Sequence, residues 1–155
     1  MNTGQLSRPE AALTRHPSAA AAFTGRGLLG AATWAAVVAA AADLAVYAAA
    51  AVAWDVPSGF DALNPFSIVV AVLVGVAAAA LGLAALARLT RRPVPVFVGA
   101  AVAVTLLSLG GPLQAMAGPM NGMPEASTAT GVAMILMHLL TGGVIAGLLP
   151  AWARR

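Results

Sequence analysis

Asp43, in AAAADLAVYAAA, and His138, in MILMHLLTGG, are ionisable residues inside runs otherwise made of alanine, leucine, valine and methionine. A carboxyl and an imidazole are the two side chains best suited to hold and pass a proton near neutral pH. Tyr47 follows Asp43 by four residues and Thr141 follows His138 by three, the spacings at which side chains share a helix face. Asp43, Tyr47, His138 and Thr141 are therefore the polar candidates within apolar sequence. An acid at the centre of a lipid-embedded helix costs about 2.5–3.5 kcal/mol on insertion scales, so one that is kept needs a reason. One reason is chemical, a proton carrier or an acid/base pair. The other is structural, a protonated carboxyl hydrogen-bonded to a neighbouring helix, with Tyr47 within reach.

A second group of polar residues lies in connecting segments. WDVPSGFDALNP carries Asp55 and Asp61, and SLGGPLQAMAGPMNGMPEAS carries Gln114, Asn121 and Glu125. Hard cations take oxygen ligands, but this spacing matches no known cation loop, and no metal is assigned. Cysteine is absent, which excludes disulfides and thiolate sites. No Gly-rich phosphate loop, catalytic triad order or metalloprotease spacing is present, so no cofactor is expected.

The elements that must position these groups follow from composition. Of 155 residues, 61% are hydrophobic and 8% charged, with a mean hydropathy of +0.91. Soluble domains carry about 25% charged residues, so this chain cannot cover a water-facing surface. Its partner is the lipid bilayer. The pI of 11.2 suggests nucleic acid until the bases are located. All eight are arginines, at the chain ends and in one short loop, and no basic stripe with interleaved aromatics exists. Nucleic acid is excluded as a partner.

Residues 1–26 read as a polar, disordered tail. Four apolar runs follow, at about 27–54, 65–89, 94–113 and 128–149, each long enough for the ~20 residues that cross a bilayer. The first is longer than the roughly 7–15 apolar residues of a signal peptide, so it is expected to stay as a helix. In lipid every backbone group must be bonded within the segment. The expected fold is thus all-α, a membrane four-helix bundle spanning 27–155. Asn64-Pro65 opens the second helix, Pro93 and Pro95 the third, and Pro124-Glu125 the fourth, while Gly110-Gly111-Pro112 is expected to end the third. Gly75 and Gly82 in the second helix, and Gly143 and Gly147 in the fourth, are candidates for close helix packing.

Orientation follows from the arginines. With four crossings, Arg8, Arg15 and Arg26, the Arg88/Arg91/Arg92 loop, and Arg154 and Arg155 share one side, and Asp55, Asp61 and Glu125 share the other. The positive-inside rule places both termini in the cytoplasm of a multi-pass cell-membrane protein. At ~1.5 Å per residue, Asp43 and His138 both fall near the middle of their spans. Helices one and four are expected to be neighbours, with the two side chains in direct or water-bridged contact. The alternative is a neutral His138 bonded to a carbonyl or to Thr141.

The basic RLTRRP loop, LSLGGPL at the end of the third helix and MHLLTGGVIAGLL in the fourth resemble a family of small bacterial membrane proteins labelled domain of unknown function 6069. The resemblance runs from about Gly27 to the C-terminus. It implies a four-helix integral membrane protein and carries no activity. Three function classes fit the residues. The favoured one is a non-enzymatic protein acting through helix contacts with a membrane partner or a second copy. The others are a small transporter with Asp43 as a proton-coupled carboxyl, and an intramembrane enzyme on a lipid-like substrate with Asp43 and His138 as acid and base. An antiparallel dimer of mixed topology needs balanced loop charges, which an eight-to-zero bias denies.

Orientation is directly measurable in the cysteine-free chain. Single cysteines at Ser7 and Thr90 are expected to resist an impermeant thiol reagent in intact cells, and one at Ser127 to react. Labelling at 90 with none at 127 reverses the topology.

Overall fold

A computed structural model describes residues 23–54, 63–119 and 125–154. Asp55, Asp61, Asn121 and Pro124, with residues 1–22 of the expected tail, lie outside the described residues. Five helices follow in order: α1 (Gly25–Trp54), α2 (Pro65–Leu89), α3 (Pro93–Ser108), α4 (Gly110–Ala117) and α5 (Thr128–Trp152). Four stretches are long and apolar enough to cross a membrane, the third being α3 and α4 together, Pro93–Ala117.

Side chains bind the free amides at three helix starts, where the first-turn N–H groups have no partner within the helix. Thr24 Oγ1 accepts from the Gly27 amide at 3.0 Å. That cap starts α1 two residues before the expected boundary and draws Phe23 onto the core. Asn64 Oδ1 accepts from Ser67 N at 2.8 Å, with Pro65 at the first helical position, where a missing N–H costs nothing. Ser127 Oγ accepts from Thr130 N at 3.1 Å and so opens α5. Glu125, expected to open that helix, is an exposed residue ahead of the cap.

Gly110-Gly111-Pro112 does not end the third span. It bends it. Pro112 has no N–H to offer the Ser108 carbonyl, and its ring crowds that position. The chain answers with a tighter turn, Leu109 N bonding Leu106 O at 3.3 Å, and resumes with Leu113 N on Leu109 O at 3.1 Å. Ser108 Oγ donates to Thr105 O at 2.7 Å, a back-bond of the kind that accompanies helix bends. Helix propensity was too weak to continue straight, and lipid leaves the backbone no alternative to staying helical. The Ala126 amide bonds the Ala115 carbonyl at 2.9 Å and ties α4 to the entry of α5.

The spans pack as a four-helix bundle in which α1 and α5 share the largest interface, α2 lies against α1, and α3 joins α2 to α5. The buried face of α1 is Ala31, Ala35 and Ala39 at four-residue spacing, and the next member of that row is Asp43. Small side chains let two backbones approach closely in lipid, where packing replaces the hydrophobic drive. Two apolar clusters result. One joins the first half of α1 to Val76, Leu83, Phe97 and Leu149. The other gathers Leu63, Ile68, Ala115, Ala126 and Met137, with Leu44 and Tyr47 against it.

The tightest glycine contacts fall at Gly142 and Gly131. A Cβ on Gly142 would overlap Thr105, and one on Gly131 would overlap Met116, whereas Gly75, Gly82, Gly143 and Gly147 have open space. Gly142→Ala is therefore expected to lose about 1–3 kcal/mol through overpacking, read as a lower melting temperature in detergent. Adding Thr105→Ala should recover part of that loss, and Gly143→Ala should lose far less.

Candidate functional site

Asp43 reaches the interior because the buried alanine row of α1 continues through its position. It is 4% exposed. On the facing helix, Thr141 Oγ1 donates to Asp43 Oδ2 at 2.8 Å. This bond joins the first span to the last, between the two apolar clusters. The other carboxyl oxygen, Oδ1, is buried and has no hydrogen-bond partner among the described residues. An unpaired buried oxygen costs about 1–3 kcal/mol. A proton on Oδ1 makes the group neutral and removes the larger cost of a bare charge in lipid.

His138 lies one turn before Thr141 on α5 and is partly buried. Its Nδ1 lies 2.8 Å from the Met134 carbonyl oxygen. A carbonyl only accepts, so Nδ1 carries a proton and donates it to its own helix. The direct partner of Asp43 is thus Thr141, and the histidine is bonded to its own helix. Thr105 completes the polar level from α3, its hydroxyl donating to Ala101 O at 2.8 Å while its side chain fills the gap at Gly142.

The remaining candidates are dispersed. Tyr47 packs its ring against the second apolar cluster. Gln114 is exposed on α4 and Glu125 is exposed before α5. Among the described residues no group of three or more His, Asp or Glu side chains is placed to hold a metal ion. Gly75 and Gly82 are partly buried, and Gly143 and Gly147 face outward. Thr105 and Gly142 escaped the sequence reading. A threonine in an apolar helix and a glycine beside Gly143 gave no sign that they met.

Fold and site together define a small, all-helical, multi-pass membrane protein with a buried polar contact between its first and last spans. Residues 23–155 match the family described as a family of unknown function, DUF6069, and the chain belongs to that family. No curated protein and no solved structure matches it.

The Asp43–Thr141 bond sets an expected coupling. In a double-mutant cycle of Asp43→Ala and Thr141→Val, unfolding in detergent should give an interaction energy of about 0.6–1.7 kcal/mol, the range for hydrogen bonds between membrane helices. The cycle with His138→Phe should give a smaller one. A larger coupling to His138 than to Thr141 would assign the carboxyl to the wrong partner.

Proposed function

We propose that the protein acts through helix contacts with a membrane partner, in the cell membrane, with both termini cytoplasmic. The observation that supports this is the division of the α5 glycines between two faces. Gly131 and Gly142 are used inside the bundle, where side chains fill the space above them. Gly143 and Gly147 are exposed, spaced as GxxxG, and among the described residues nothing fills the space above them. Exposed leucine and valine mean little in a bilayer, because lipid tails are as apolar as they are. Outward small residues at that spacing are different, since they let a second helix approach closely. The orientation rests on the sequence positions of the arginines, which an even number of crossings assigns to one side.

The reading predicts that Gly143→Ile with Gly147→Ile leaves the fold intact and abolishes association, measured by energy transfer between labelled proteins in bilayers. A second copy or another membrane protein serves equally as the partner detected. Unchanged association in the variant, or none in the wild type with any membrane protein of the cell, sinks the reading.

A second reading has its own support. The Oδ1 of Asp43, buried and without a hydrogen-bond partner among the described residues, with His138 one turn from Thr141 on α5, is an arrangement able to take up and release a proton, as a proton-coupled transporter requires. Proton flux into vesicles carrying the protein, lost in Asp43→Asn at unchanged protein level, would favour it. The enzyme reading has less support, because the carboxyl is engaged by Thr141 and the histidine by its own helix.

A further inference from the structure

At the arginine-bearing end of the bundle, α1 and the end of α5 enclose a shallow groove of about 600 Å³, lined by Gly27, Gly30, Ala31, Trp34, Val38 and Trp152. The five α1 residues have the spacing of a single helix face. Gly27 and Gly30 contribute no side chain, so the floor is low. Trp34, 62% exposed, stands at its side. From Gly27 to Val38 the helix rises about 16 Å, at ~1.5 Å per residue. That is close to half of a ~30 Å hydrocarbon core, the depth of one leaflet.

The mouth of the groove carries the charge. Arg26 precedes Gly27, and the backbone of Ala153, next to Arg154, comes within 3.3 Å of a Cβ built on Gly27. The two arginines therefore flank one end, and both are exposed. Arg154 Nε donates to the Pro150 carbonyl at 3.2 Å, which leaves its terminal nitrogens for another acceptor. Among the described residues neither arginine has an acidic partner.

We infer that this groove seats one acyl chain of an anionic phospholipid whose phosphate lies against Arg26 and Arg154. A leaflet-deep apolar slot with guanidinium groups at its mouth matches a lipid in both length and charge. A second copy packed symmetrically on this face would bring two sets of the same arginines together, and like charges oppose it. The site is separate from the outward glycines of α5 and does not depend on a protein partner.

The test uses the full-length protein, delipidated in neutral detergent, titrated with phosphatidylglycerol or with phosphatidylcholine of identical acyl chains. Bound lipid is counted by native mass spectrometry. Phosphatidylglycerol should saturate near one equivalent per chain and bind more tightly than phosphatidylcholine. Arg26→Gln and Arg154→Gln should each weaken phosphatidylglycerol binding about fivefold, the effect of one basic residue at a membrane surface. Gly30→Leu should abolish binding of both lipids, since its side chain would enter the groove and meets nothing in the fold. Trp34→Ala, at an exposed position, provides the same comparison should the leucine variant fail to fold, and should weaken binding of both lipids. Equal affinity for the two lipids, or undiminished phosphatidylglycerol binding in a folded Gly30→Leu or Trp34→Ala chain, overturns the inference. So does a lipid-free dimer that dissociates on Gly30→Leu, which would assign the groove to a second copy.

Discussion

The fold turns on a single hydrogen bond made where water is absent. Asp43 costs more to bury than any other residue in the first span, and α1, rich in alanine, has little apolar surplus to offset it. Thr141 meets one carboxyl oxygen at 2.8 Å, and a proton on the other would remove the charge that lipid penalises most. Much of the architecture follows from satisfying that group. It lies on the buried side of α1, as do Ala31, Ala35 and Ala39 before it. α1 and its neighbours then approach closely enough for alanine packing to hold them. The polar level separates the two apolar clusters, and α3 closes it from the side with Thr105 against Gly142.

Much of this was legible in the residues. Apolar run lengths identified four spans, and the scarcity of charge excluded a soluble fold. Asn64 and Pro65 marked the start of α2, because side-chain caps are local and need no tertiary knowledge. The Gly-Gly-Pro stretch was misread for a related reason. In water, Gly110, Gly111 and Pro112 would stop a helix by exposing its backbone to solvent. In lipid no solvent receives those groups, so the helix is interrupted only at Leu109 and continues to Ala117. A rule from aqueous helices does not carry over unchanged.

The site was legible as a set of residues and less so as a geometry. Asp43, His138 and Thr141 stood out because each departs from its surroundings, and comparing depths brought α1 and α5 together. Which side chain took the carboxyl was not decidable at that level, since Thr141 and His138 are within one turn of each other on α5. Rotation of one helix by a fraction of a turn selects between them. The glycines show the same limit. Gly142 and Gly143 are adjacent in sequence, yet one is pressed against Thr105 and the other is open to the exterior. Spacing identifies a face, and only packing tells whether the chain itself covers it.

The most direct measurement is a distance in lipid, without substitution. Solid-state NMR of the protein in bilayers, with carbon labels at the Asp43 carboxyl and the Thr141 side chain, reads the contact that joins the first span to the last. A 2.8 Å oxygen–oxygen hydrogen bond places the carboxyl carbon and the threonine Cβ about 4 Å apart, with the carboxyl carbon shift of a neutral acid. A separation well beyond that, or an Asp43 carboxyl in contact with water and fully ionised at neutral pH, would contradict the account.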